Sequence, residues 1–236
     1  MRESGVFLTA EWRNLVMLNY VVDAALLQAF VPTGTELDAF AGRIYLSLVG
    51  FEFNRSRVLG FRIPFHQQFE EVNLRFYVRR GSKRGVVFIR ELVPKRAVAA
   101  VARWAFHENY SCLPMTHRIE SGAETVHVEY RWRVGRARCR MFVETGGPAS
   151  LPADGSEAQF ITELNWGYTA QPDGGSLEYE VRHPPWRVWP ARQAGFAGPM
   201  AVLYSPEIDS VLHREPDSAF LAEGSPVTVL TPLRIC

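Results

Sequence analysis

"EEVNLRFYVRR", residues 70–80, is the stretch on which the fold turns. Val72, Leu74, Phe76 and Val78 alternate with Glu71, Asn73, Arg75, Tyr77 and Arg79. Side chains of a strand point to opposite faces with a period of two, so this pattern predicts a β-strand with one face in an apolar core. The other face carries an acid, an amide, a cation and a phenol. It meets either solvent, with Glu71 and Arg75 in cross-strand ion pairs, or a polar cavity. In a cavity Arg75 and Glu71 would orient a ligand bearing a carboxylate or carbonyl. The residues alone leave both readings open.

Working outward, strands dominate. "GRIYLSLVGFEF" (42–53), "GVVFIRELV" (85–93) and "SPVTVLTPL" (225–233) read as strands, and "TVHVEYRWRV" with "RARCRMFVE" reads as a hairpin about Gly135. "SLEYEVRHPPWRVW" (176–189) begins as a strand and is broken by Pro184 and Pro185. Helices are few and short. "VDAALLQAFVP" has Asp23 as a cap and Pro32 as a stop. "AVAAVARWAFHEN" repeats Val98, Val101, Ala102 and Ala105 at helical spacing, beginning near Ala97. Ser156 caps a short turn before "EAQFITEL". The segment between Pro199 and Gly224 has no clear period and receives no assignment. The sum is an α+β, mostly antiparallel β chain, organised as one domain over residues 1–236.

Composition narrows the function classes. Lys plus Arg number 26 against 25 Asp plus Glu, a net charge of +1, which argues against a nucleic-acid partner. The three cysteines, Cys112, Cys139 and Cys236, are odd in number and unpaired in spacing, so free thiols and a reducing cytoplasm are expected. Glu3 and Glu11 interrupt the N-terminal stretch, which does not read as a secretory leader. No apolar run reaches the length of a transmembrane helix, so no membrane partner is expected. The six histidines, His66 among them, lack metal-site spacing. Phosphate-binding glycine loops and nucleophile elbows are absent too. No metal and no cofactor are expected.

Two groups of residues invite chemistry. Lys95, in "VPKRAVAAVARWAFHENY" (93–110), lies between an apolar strand and an apolar helix. Burial or a neighbouring cation would free its amine to attack a carbonyl. Equally, it is a lysine at a strand-to-helix junction with its head in water. Arg96 is adjacent, but neighbours on an extended chain point apart. Trp166, Tyr168, His183, Trp186 and Trp189 either line a pocket for a planar ligand or close the end of a β structure.

Six stretches in order, "FLTAEWRNLVMLNYVVD", "VPTGTELDAFAGRIYLSLVGFEF", "FHQQFEEVNLRFYVRR", "GVVFIRELVPKRAVAAVARWAFHENYSCLPM", "NWGYTA" and "YEVRHPPW", resemble the YqjF-like family of uncharacterised bacterial proteins. That family is grouped with the acetoacetate decarboxylase-like superfamily. The resemblance implies a closed, cone-like antiparallel β-barrel with short flanking helices. "RELVPKR" is similar to the decarboxylase segment whose first lysine forms a Schiff base. By that match Lys95 stands at the nucleophile, Arg96 at the flanking cation and Glu91 at the glutamate after the arginine. Glu71 matches an acid on an earlier strand that faces the pocket. The chain departs from the pattern in having Arg96 in place of a lysine and a shorter link from Glu91 to Pro94.

The resemblance implies a lysine-iminium lyase acting on a small oxo-acid or ketone. Lys95, Glu71 and Glu91 would form its catalytic set. Arg75, Asn73, Arg96, Trp166, Tyr168 and His183 would form its substrate-binding set. The alternative keeps the same barrel as a non-catalytic binder of a small anionic ligand. A third reading makes the barrel a scaffold for a partner surface. The partner expected is a small molecule, and a homo-oligomer is compatible with the sequence.

Overall fold

The computed structural model describes residues 5–62, 67–122 and 124–236. Glu3 and His66 of the sequence reading lie outside the described residues. Among the described residues, sixteen strands share one sheet. In chain order they are β1 Val6–Val22, β2 Glu36–Leu37, β3 Ile44–Val58, β4 Phe61–Arg62, β5 Phe69–Arg80 and β6 Lys83–Val93. Next come β7 Tyr110–Cys112, β8 Met115–Ser121, β9 Val126–Val134, β10 Ala137–Thr145, β11 Trp166–Ala170 and β12 Ser176–Arg182. The last are β13 Val188–Ala197, β14 Ser218–Ala222, β15 Pro226–Leu230 and β16 Leu233–Arg234. Among the described residues, four short α-helices, α1 Ala24–Leu27, α2 Arg96–Phe106, α3 Glu157–Thr162 and α4 Pro206–Leu212, flank the sheet.

The hydrogen-bonded order is β4-β3-β5-β6-β11-β12-β15-β1-β14-β13-β10-β9-β8. Among the described pairings, only β6–β11 and β6–β7 are parallel. The fold is therefore mostly antiparallel, as the succession of short strands in the sequence implied. Taken whole, the sheet is not the closed barrel that the resemblance implied, because its path ends at β4 and β8. The physical reason lies in β1. One edge of this strand pairs Val6–Glu11 with β15 and Leu15–Asn19 with β14, while its other edge pairs with β3. Asn14 marks the switch, with a left-handed φ of 56° that asparagine tolerates, next to a register shift against β3. The sheet thus divides into two wings at β1.

Local signals set the helices. Asp23 accepts from Ala25 N at the head of α1, and Ser156 accepts from Gln159 N at the head of α3. α2 starts at Arg96 and ends at Phe106, followed by the cap residue His107, whose φ of 58° turns the chain back toward the sheet. The segment that carried no assignment contains α4, capped by Ser205, and β14. Both are too short to show a period. Cys112, Cys139 and Cys236 are free. Among the described residues, no helix is long and apolar enough to cross a membrane.

Candidate functional site

β5 buries both of its faces. Val72, Leu74 and Phe76 enter the main apolar cluster with Tyr130 and Met141. Glu71, Asn73 and Arg75, only 2–8 % exposed, line a cavity of about 150 Å³ on the other side. The polar face therefore meets a cavity, and the solvent alternative is excluded for these three residues.

A bulge in β6 brings Glu91 to the same cavity. Arg75 faces Phe88, but Leu74 faces Arg90, so Ile89 is left over. One extra residue reverses the facing of every side chain beyond it. Val86 and Phe88 line the cavity before the bulge, and Glu91 lines it after. An unbroken strand would turn Glu91 into the opposite core. Asn109 anchors the bulge, its Nδ2 donating to the Ile89 carbonyl at 3.1 Å and its own carbonyl accepting from Glu91 N at 3.1 Å.

The reversal at His107 delivers Glu108 and Tyr110 beside these acids. Tyr110 Oη donates to Glu71 Oε2 at 3.3 Å, and Asn73 Nδ2 donates to Glu71 Oε1 at 3.1 Å. Glu108 Oε1 accepts from Tyr179 Oη at 2.5 Å and from Thr169 Oγ1 at 3.2 Å. Burial away from water disfavours the carboxylate form, and the neighbouring Glu108 charge adds to it. Together they push Glu71 up to about 8, against the lowering effect of its Asn73 and Tyr110 hydrogen bonds. Glu91 is raised well above the ordinary carboxylate range by burial, then by Glu108 and Glu71. Burial and the same acids raise the Tyr110 and Tyr179 phenols. Burial thus favours the protonated forms of Glu71 and Glu91, so the cavity floor can act as a proton donor.

Arg75 lies further along β5. Its Nη2 donates to the Ile161 carbonyl at 3.3 Å, and its guanidinium lies 5.8 Å from the Tyr77 ring centroid. Among the described residues it has no ion pair, and Arg75 Nε, Asn73 Oδ1 and Glu91 Oε2 have no hydrogen-bond partner. A buried polar atom left unpaired costs about 1–3 kcal/mol. Three on one cavity wall form a site that lacks its complement.

Of the residues singled out from the sequence for a site, Glu71, Asn73, Arg75, Glu91, Trp166, His183 and Trp186 meet on the cavity, and Trp189 does not line it. His183 stacks on Trp186 with ring centroids 4.2 Å apart, and burial lowers its imidazole below the ordinary range. Tyr168 is fully buried in the opposite core and does not line the cavity. Lys95 is half-buried as the N-cap of α2, and Arg96 is exposed as that helix's first residue. No lysine is among the described lining residues. Glu108, Tyr110 and Tyr179 were missed. Glu108 follows an apolar helix and Tyr179 sits in an unremarkable alternating strand, so only the His107 reversal and the sheet order reveal them.

The fold is shared with solved structures. An acetoacetate decarboxylase-like enzyme from Sphingomonas wittichii RW1 superposes with a TM-score of 0.68 at 13% identity, covering 97% of this chain and 93% of that one. The enduracididine biosynthesis enzyme MppR, complexed with pyruvate, gives 0.66 at 11% identity, covering 99% and 91%. At such identities the likeness concerns the fold. In sequence, the uncharacterized protein YqjF of Bacillus subtilis (strain 168) is 27% identical over 211 residues, 86% of this chain and 84% of that protein. The family model for DUF2071, an uncharacterized conserved protein, matches residues 9–226, and the chain belongs to that family.

Proposed function

We propose that the protein binds a small oxo-acid in this cavity and holds its carbonyl against groups that can protonate it. Arg75 carries the reading. It is a buried cation without a carboxylate partner among the described residues, facing a cavity on which Asn73 Oδ1 and Glu91 Oε2 also lack hydrogen-bond partners. A ligand carboxylate supplies the missing anion through a charge-assisted pair. Protonated Glu71 donates to the ligand carbonyl, and Tyr110 and Glu91 connect that proton to Glu108. The cone-like barrel belongs to this proposal. The ring of pairings β3-β5-β6-β11-β12-β15-β1, with β1 back on β3, supports such a wall. Calorimetric titration with a panel of 2-oxo and 3-oxo acids tests the reading. Saturable binding that vanishes in Arg75→Met is expected, and no binding by any member of the panel overturns it.

The second reading is the lysine-iminium lyase. It is favoured by the decarboxylase-like fold and by the position of Lys95 at the head of α2, which lays Val98, Val101 and Ala102 on the cavity. The Lys95 amine would add to the carbonyl and release water, and the iminium would accept the electron pair of the cleaved bond. The chain has only two lysines, Lys83 and Lys95. Lys83 is held by Glu178 at 2.5 Å and lies over the Trp166 ring. Borohydride trapping followed by peptide mass therefore has one candidate peptide. An adduct on Lys95 supports the lyase, and unmodified Lys95 under saturating ligand leaves non-covalent binding.

A further inference from the structure

Two of the unpartnered atoms belong to residues that stand opposite each other. Asn73 on β5 faces Glu91 on β6 in the antiparallel register, which sets their Cβ atoms about 4.5–5.5 Å apart. Both residues line the cavity and are 2 % exposed. Asn73 Oδ1 and Glu91 Oε2 are without hydrogen-bond partners. The other flank of Asn73 offers no donor, because the residue facing it on β3 is Val49. Its Nδ2 is already engaged by Glu71 Oε1 at 3.1 Å. The amide oxygen is left as an acceptor.

The chemistry of these two atoms selects one ligand group. An amide oxygen only accepts. Burial favours the neutral acid of Glu91, which carries a donor as well as an acceptor. A hydroxyl has one proton and two lone pairs, so it donates to Asn73 and accepts from Glu91 at once. A carbonyl only accepts and leaves Asn73 Oδ1 unpaired. An ammonium only donates and needs an ionised Glu91. A methyl leaves both atoms unpaired.

We propose that the oxo-acid carries a hydroxyl on the carbon next to its carbonyl, donating to Asn73 Oδ1 and accepting from Glu91 Oε2. This rests on the binding mode proposed above and adds the substituent that the site selects. The position follows from the Asn73–Glu71 hydrogen bond. The ligand carbonyl is assigned to Glu71, so the two ligand oxygens meet the two ends of one bonded pair and belong on neighbouring carbons. Arg75, at the carboxylate, follows Asn73 on the same face after one two-residue step, about 6.6–6.8 Å. With a hydrogen bond of about 2.8 Å at each end, a three-carbon ligand spans that step.

Calorimetry on the full chain tests this with 3-hydroxypyruvate and 2-oxobutanoate, which differ only by a hydroxyl in place of a methyl, and with pyruvate as the smaller reference. A site built to pair a hydroxyl penalises the analogue that lacks it, so 3-hydroxypyruvate is expected to bind about 10- to 100-fold more tightly than 2-oxobutanoate. Asn73→Leu should bring that ratio down to within about threefold. Glu91→Met removes the other partner and should lower the ratio severalfold if Asn73→Leu does not fold. Equal affinities for the two probes, both lost in Arg75→Met, would assign the Asn73–Glu91 pair to a bound water, overturning the hydroxyl and leaving the binding mode standing. A ratio unchanged in Asn73→Leu, tighter binding of 2-oxobutanoate, or binding of pyruvate alone would overturn it too. No binding by all three overturns the inference, and the binding mode falls with it only if the rest of the oxo-acid panel fails as well.

Discussion

β5 and β9 carry the same kind of sequence and end in opposite surroundings. In β9, Val128, Tyr130 and Trp132 enter the core, while Arg131 and Arg133 stand in solvent. In β5, Val72, Leu74 and Phe76 enter the core, yet Glu71, Asn73 and Arg75 are also buried. Alternation reports that one face of a strand is apolar. What happens to the other face depends on what the chain lays over it later. Over β5 come α2, the α3 segment with its Ile161 carbonyl, and the His183–Trp186 stack. On β9 the outer face keeps a single buried acid, Glu129, covered by its bonded partners Arg131 and Arg140, and the arginines remain exposed.

The largest consequence of covering β5 is expected in pH dependence. Glu71 is neutral in the folded protein up to about pH 8, whereas the unfolded chain releases that proton near the ordinary value of 4.5. Between those values the folded state binds the extra proton. Stability is thus fully present below the unfolded value and falls as pH rises toward 8, by on the order of 4–5 kcal/mol. Urea denaturation from pH 5 to 8.5 measures the slope. Glu71→Gln, a mimic of the neutral acid, should make it shallower, the raised Glu91 contributing the remainder with the same sign. A slope unchanged in that variant would mean that Glu71 is ionised in the folded state.

Packing gives the next contrast. A Cβ on Gly167 would run into the Tyr179 ring and hydroxyl, the group that holds Glu108. Gly135, at the tip of the β9–β10 hairpin, has nothing within 4 Å but a φ of 59°. Gly167→Ala should cost about 3 kcal/mol through overpacking, and Gly135→Ala about 1 kcal/mol through backbone conformation alone. Equal costs in denaturation would show that the cavity wall yields as freely as the exposed tip.

These positions show what could be read from the sequence. The strand of residues 70–80, the Gly135 hairpin and the Asp23 and Ser156 caps follow local rules, and the structure keeps them. β1 was not recognised because Leu15–Tyr20 is buried on both faces and so does not alternate. The pairing of Glu71, Asn73 and Arg75 on one face was legible, since a period of two suffices. Glu91 came from family resemblance, because the spacing in β6 does not reveal the Ile89 bulge that turns it inward. Glu108 and Tyr179 meet through the β6–β11–β12 order, which no local pattern encodes.

Arginine itself should behave differently in the two places. Arg75 is a desolvated cation with one carbonyl partner, kept for a ligand. Arg75→Met should therefore abolish oxo-acid binding while stabilising the ligand-free protein by about 1–2 kcal/mol, since a buried charge without full compensation costs more than an apolar group of similar shape. Arg133→Met, on the open wing, should stay within about 0.5 kcal/mol of the parent. Calorimetry and urea denaturation read both. If Arg75→Met is strongly destabilising, the guanidinium is a structural strut and its role as an anion anchor falls.

The smallest effect concerns the exposed wing alone. Arg133 faces Arg138 directly across the hairpin, as Arg131 faces Arg140. Glu129 is bonded to Arg131 and Arg140, while Arg133 and Arg138 have no ion pair among the described residues. Like charges placed directly opposite on a sheet repel, and a pair of opposite sign attracts. Arg138→Glu converts the first situation into the second and should raise stability by about 0.5 kcal/mol at low salt. Because both groups stand in water, the gain should fade toward zero near 1 M salt, where the screening length is about 3 Å. Adding Arg133→Glu to that variant restores a like-charged pair and should remove the gain. A gain that survived high salt would mean that this face is less open than the exposure of its arginines indicates, and the contrast with β5 would narrow.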